Sequence, residues 1–179
     1  MATSGATEMT RFNEVTTTTH NDEWRYGEQL SGTVSVMLDL TVIENAAKAK
    51  KDTYLTGVSK TSPTVVVKGG LPLAKITSGT SKGNFGPYDP DATDGRAAAV
   101  WGLLESDVTV TRTFDGFADT ALEVGMRFRG NVIVDKLPVV PADGTPWYGD
   151  FVAVDPDAGE CKRLSDAKPT TSGTAGGNS

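Results

Sequence analysis

From Thr33 to Ile43 apolar and polar residues alternate. Val34, Val36, Leu38, Leu40 and Val42 share one face and Ser35, Asp39 and Thr41 the other, which predicts a half-buried strand. Asn45 to Lys51 favours a helix but is too short to hold one alone. Thr64-Val65-Val66-Val67 is a β-branched run that stops at Gly69-Gly70, a strand followed by a turn. Leu71 to Thr77 reads as another strand, which Pro72 confines to a sheet edge or to a strand start. Residues 78–95 are dense in Gly, Ser, Asn, Asp and Pro and read as one long loop. In Arg96 to Glu105 three alanines and two leucines suit a helix, whereas Asp94-Gly95, the short length, Val100 and Trp101 favour a buried strand; a strand is the expectation. Val108 to Phe114 alternates again, and Asp115-Gly116 marks a hairpin leading into Phe117 to Val124. Met126 to Val134 adds strand material interrupted by Gly130, and Asp143-Gly144 forms a further turn. Trp147, Tyr148, Phe151 and Val152 are the last apolar cluster and are expected to close the core. No internal repeat is present.

The pattern fades at both ends. Residues 1–22 are rich in Thr, Ser, Asn and Glu, with Phe12 and Val15 the only sizeable apolar side chains beside Met1 and Met9, and read as a flexible arm. Residues 165–179 are small and polar throughout and read as a disordered tail. Between them, residues 23–164 are expected to form one mainly β (β-rich α+β) domain, a small sandwich or barrel. Composition agrees: of 179 residues, 20 are Gly and 9 Pro, and only 7% are aromatic. No stretch approaches 18 uninterrupted apolar residues, so no membrane-spanning helix is expected. The first residues lack a basic segment and an apolar segment, so no secretory signal is expected either. A net charge of −6 is the wrong sign for general nucleic-acid binding.

Candidate chemistry is sparse. Asp89-Pro-Asp91-Ala-Thr-Asp94-Gly95 invites a calcium reading, but Thr93 fills the third ligand slot and Asp94 comes one place late; tight-turn chemistry accounts for the same residues. His20, the single histidine, sits in the polar arm with nothing apolar to fix it for catalysis. Gly79 to Gly86 lacks the Gly-Lys-Ser/Thr ending and the following helix of a phosphate loop. Glu105 and Asp107 could pair as acid and base, or be ordinary surface carboxylates. Cys161, the single cysteine, lies among Asp155, Asp157 and Glu160, which disfavours a reactive thiolate. Trp101 is either a ligand-stacking ring or, with Ala97 to Val100 and Leu103-Leu104 around it, a core tryptophan; the core is the expectation. Lys48, Lys50 and Lys51 are a solvated helix face or a contact for an acidic partner. No catalytic residue, metal site or cofactor site is assigned, and the chain is not expected to be an enzyme.

One ordered series is more specific. Gly70-Leu-Pro-Leu-Ala-Lys-Ile-Thr77 precedes a Gly/Ser loop and Tyr88-Asp-Pro-Asp-Ala-Thr-Asp-Gly95. Ala97-Ala-Ala-Val-Trp-Gly-Leu-Leu-Glu-Ser-Asp-Val108 follows, then alternating strands, then Arg129-Gly-Asn-Val-Ile-Val-Asp-Lys-Leu137. In order and spacing, residues 66–137 resemble the lambda-like head decoration proteins of tailed phages. The resemblance implies a small mainly β subunit, forming a homotrimer made in the host cytoplasm. Such a trimer binds the major capsid protein on the outside of the expanded head, and stabilises the virion against packaged DNA. It implies no nucleic-acid or membrane partner. It also implies an N-terminal arm that orders on the shell, here carrying Phe12, Val15, Thr16, Thr17 and Thr18 as capsid-binding residues. Outside the family pattern lie residues 31–67 and the Trp147–Phe151 cluster. Two other classes share parts of this picture: a tail-tube or head-fibre subunit, and a small trimeric β nucleotide hydrolase, whose Asp and Gly-rich motif Val134-Asp135 matches poorly.

Overall fold

A computed structural model describes residues 22–27, 32–58 and 62–164, so the expected arm before Asp22 and the expected tail after Leu164 lie outside the described residues. Strand β1 (Thr33–Asp39) forms where predicted, but burial does not alternate along it: Val34 is exposed, Val36 partly buried, and both Leu38 and Asp39 buried; it stops while the sequence still alternates. Asp39 ends it: its carboxylate accepts from the Val42 amide at 3.1 Å and from the Thr41 hydroxyl at 2.6 Å, the geometry of a helix N-cap. The expected strand to Ile43 is thereby corrected. Leu40, Ile43 and Ala47 become the buried stripe of helix α1 (Leu40–Ala49), a spacing of three and four that a two-residue reading hides. The helix-favouring run from Asn45 is the second half of this helix, followed by a single turn α2 (Lys51–Tyr54) and the short β2 (Leu55–Thr56).

Strand β3 (Thr64–Val67) and the turn at Gly69-Gly70 fall where the β-branched run placed them. Gly70 has φ +76°, and a Cβ there would lie 2.6 Å from the Trp24 indole, so glycine is required on both counts. Strand β4 (Pro72–Lys75) begins at Pro72, where a missing amide costs the ladder least. The expected long loop is corrected by β5 (Phe85–Pro87), three residues too few to show a period but paired with β4 as Leu73↔Pro87, Ala74↔Gly86 and Lys75↔Phe85. Of Arg96 to Glu105, only β6 (Gly102–Leu104) is strand; Val100 makes an isolated bridge to Trp147, and Ala97 lies in a turn. The expected hairpin joins β7 (Val108–Thr113) to β8 (Gly116–Phe117), with its two turn residues at Phe114-Asp115, one place before Asp115-Gly116, and Gly116 paired with Thr113. The strand expected from Phe117 to Val124 is two: β8 ends at Phe117, and β9 (Ala121–Arg127) belongs to another sheet. Gly130 lies inside β10 (Arg129–Val132) instead of breaking it, and a 3-10 turn follows at Val134–Lys136. Strand β11 (Asp150–Asp155) pairs with β12 (Glu160–Arg163), a strand without an apolar period in its sequence.

The domain is mainly β, as expected. Five strands close a barrel in the order β1-β5-β4-β6-β9, with β9 returning antiparallel along all of β1, from Thr33↔Arg127 to Asp39↔Ala121. On its other side β1 meets β5 through one parallel pair, Leu38↔Phe85. The remaining strands form two sheets, β2-β3-β7-β8 and β10-β11-β12.

The core has two compartments. Leu38, Leu73, Leu104 and Met126 of the barrel join Leu40 and Ile43 of α1 and Val65, Val67 and Val110 of the β3–β7 sheet. Ala74 and Leu103, the sequence neighbours of Leu73 and Leu104, point the opposite way, as a two-residue period dictates. They meet Trp24, Val132, Leu137, Trp147 and Phe151, so the β10-β11-β12 sheet packs on the outside of the barrel. Trp147 and Phe151 close this second compartment edge to face, their centroids 5.3 Å apart, while Tyr148 of the same sequence cluster stays exposed. Among the described residues no helix is long and apolar enough to cross a membrane.

Candidate interaction surfaces

The residues that invited catalytic or metal readings are engaged in holding the backbone. In the Asp89–Gly95 loop, the Asp89 carboxylate accepts the Asp91 amide at 3.0 Å. Asp94 pairs with Arg96 Nε at 2.9 Å, and Arg96 reaches on to the Pro87 carbonyl at 2.8 Å. The acidic loop is thus locked against β5. Among the described residues no group of three His, Cys, Asp or Glu side chains could hold a metal ion. Gly79 to Asn84 folds as the connection between β4 and β5, and Gly86 lies in β5; the Gly83 amide donates to the Ile76 carbonyl and the Ile76 amide to the Asn84 carbonyl, both at 2.9 Å.

Glu105 and Asp107 do not converge. Glu105 lies 2.6 Å from Arg127 and 3.4 Å from Arg25 and accepts from the Thr33 hydroxyl at 3.2 Å, tying the Asp22–Gly27 segment to the barrel. Asp107 accepts the Gly69 amide at 2.6 Å beside β3. Cys161 is exposed on β12. His20, Phe12, Val15, Thr16, Thr17 and Thr18 lie outside the described residues.

Asp39 is the buried carboxylate of the fold, 2% exposed. Burial pushes its pKa up, but hydrogen bonds from the Ser81 side chain, Thr41 and the Val42 amide outweigh burial, and the carboxyl sits below its ordinary value. Its charge is held at the strand-to-helix turn by these donors. Tyr54 is shifted up, by burial first and then by the charge of Asp89, with Arg96 opposing.

Three features among the described residues are singled out. Trp101, expected in the core, is half-buried at its margin: Phe85 meets it edge-on at 6.0 Å, Tyr148 tilts over it at 4.8 Å, and Lys75 Nζ lies 5.3 Å from the ring. This aromatic and cationic shelf was missed because Tyr148 and Lys75 are remote from Trp101 in sequence. The second feature is a groove of about 290 Å³ between α1 and the β7–β8 hairpin. Ala47, Leu55 and Phe117 line it, with Lys48, Lys51 and Arg112 around them. Lys48 is held by Asn45 at 3.0 Å and Glu44 at 3.8 Å. Lys48 and Lys51 of the sequence cluster, without Lys50, therefore share a mainly basic rim with Arg112 of β7, and Glu44 lies among them. The third is the edge of β1 facing away from β9. Val34 and Met37 on this strand are each 44% exposed.

Comparison with protein-family models, with curated proteins and with solved structures returns no match to this chain. Among the described residues these surfaces offer ring faces, cations and a stretch of β1 edge that β5 meets at a single pair.

Proposed function

We propose that this protein is a viral structural protein, a capsid decoration protein that binds the outside of an expanded phage head as a trimer and cements it against the pressure of packaged DNA. The observation that carries the proposal is the ordered motif series within residues 66–137. Its segments span ordered parts of the domain: Gly70–Thr77 contains β4 and Ala97–Val108 contains β6 of the barrel, Tyr88–Gly95 is the turn clamped by Arg96, and Arg129–Leu137 contains β10 of the outer sheet and the 3-10 turn. A resemblance spread over core strands concerns the whole subunit more than one surface loop.

The physical demands of a cement agree with this body. A cement needs a rigid unit and several weak attachments engaged together. Two filled apolar compartments supply rigidity. Three copies of an arm acting at high effective concentration supply avidity beyond any one contact. An arm that adds a strand to a capsid sheet gains backbone hydrogen bonds without a preformed groove. The partner in this proposal is the major capsid protein, and the arm residues that meet it are Phe12, Val15 and Thr16 to Thr18.

The test is adsorption to bare expanded heads, followed by co-sedimentation and electron microscopy. Trimeric density at three-fold positions is expected for the full chain. Deleting residues 1–21 should leave a folded oligomer that binds weakly, and Phe12→Ala should cost about 1–3 kcal/mol per arm without lowering the melting temperature. Absence of binding, or self-assembly into tubes, would refute the proposal; tubes would point to a tail subunit.

A further inference from the structure

The tip of the β7–β8 hairpin carries the most exposed large apolar side chain among the described residues. Phe114 is 103% exposed, against 51% for the next, Val140. Turns favour Gly, Pro, Asn, Asp and Ser for reasons of backbone geometry, so a phenylalanine there adds nothing to the turn itself. The tip is also held in place. The Thr113↔Gly116 pair closes the ladder, the Thr113 hydroxyl donates to the Gly116 carbonyl at 3.1 Å, and the Phe117 amide donates to the Glu44 carboxylate at 3.4 Å. The hairpin thus presents the ring to solvent from a fixed support, with Asp115 next to it in the turn.

The groove beside this tip has the complementary character. Ala47, Leu55, Val58 and Phe117 supply its apolar lining, and Lys51 and Arg112 stand at its rim. At about 290 Å³ it is at the lower end of ligand pockets, about 300–1,000 Å³, and is sized for one ring with its neighbour. In a chain of net charge −6, a cationic rim favours an acidic occupant. Phe114-Asp115 pairs the two requirements, a ring for the apolar lining and a carboxylate for the rim. The tip does not serve its own groove. Arg112 and Phe117, paired across the ladder, line that groove before the turn is reached, and the Phe114 ring beyond them is in solvent.

We propose that this face joins copies of the chain: the Phe114 ring of one copy enters the groove between α1 and the β7–β8 hairpin of another, where the Asp115 carboxylate meets Lys51 and Arg112. Tip and groove border one another, since Arg112, Gly116 and Phe117 flank the turn and line the groove. Copies that exchange tips through this single face close on themselves instead of running on as a fibre. The ordered turn lowers the cost of the contact, because the support of the ring is already fixed in the free chain. The contact stands whether or not the shell proposal does.

Sedimentation equilibrium of the full chain, to about 1 mM, tests it. The native chain should associate, and Phe114→Ala should raise the dissociation constant about tenfold or more. In dilute solution, where copies are apart, Phe114→Ala should unfold as the native chain does, which separates a lost contact from a lost fold. Asp115→Lys by itself should weaken association, and so should Lys51→Glu combined with Arg112→Glu. The chain carrying all three changes should recover most of the association, although it is more acidic than the native chain. A native chain that stays monomeric throughout would overturn the inference in favour of an acidic segment of a different protein as the occupant. Association of Phe114→Ala equal to that of the native chain would also overturn it, as would a triple variant that recovers nothing.

Discussion

Asp39→Ala tests the junction on which the barrel turns into its helix. The substitution removes the acceptor of the Val42 amide and of the Thr41 and Ser81 side chains. Loss of an N-cap costs about 1 kcal/mol, and hydrogen bonds to a charged acceptor raise the figure to about 2 kcal/mol. Thr41 is exposed and Ser81 half-buried, so their freed hydroxyls return to water and add little. For a domain of this size the melting temperature should fall by about 4–8 °C. The pH dependence follows from a folded pKa below the ordinary carboxylate value. The stabilisation is complete above the unfolded pKa and is lost as pH falls through the folded one. The gap between the native chain and Asp39→Ala should therefore be constant from neutrality down to the ordinary carboxylate range and close below it. Asp39→Asn keeps an acceptor for the Val42 amide without the charge, so it should lose less and shed the pH dependence. Urea unfolding of the three chains over a pH series measures this. An Asp39→Ala chain as stable as the native one at neutral pH would refute the capping role, and a gap that widens on acidification would refute the sign of the shift.

Two further substitutions probe the compartments and the loop. Phe151→Ala, at the centre of the outer compartment with no exposed surface, should cost about 3–5 kcal/mol in equilibrium unfolding, whereas Phe114→Ala, fully exposed at the β7–β8 turn, should leave the unfolding midpoint where it was. Gly95→Ala forces a side chain onto φ +103° and against Thr77, and should cost about 1–3 kcal/mol by the same measurement.

The amino-acid sequence by itself determined the elements whose cause is local. The β7–β8 hairpin was marked, to within one residue, by alternation on one side and the Asp115-Gly116 signal, and β4 starts at Pro72 because proline lacks the amide that an interior position must donate. The lysines on and after α1 were legible as a cluster for the same reason. Tertiary structure decided what depends on residues far apart. β5 and β6 have three residues each, too short for any period, and exist because β4 lies between them. Leu40 and Val42 fit a strand and a helix equally, and the Asp39 cap with a buried Ile43 and Ala47 selects the helix. Arg112 completes the basic rim, and Tyr148 covers Trp101, only because the chain folds back. That β1 is a strand was readable from its alternation, but that β5 meets its second edge at a single pair was not. Side-chain alternation records which face is buried, whereas an edge is defined by which distant backbone comes within hydrogen-bonding distance, and no run of neighbouring residues carries that information.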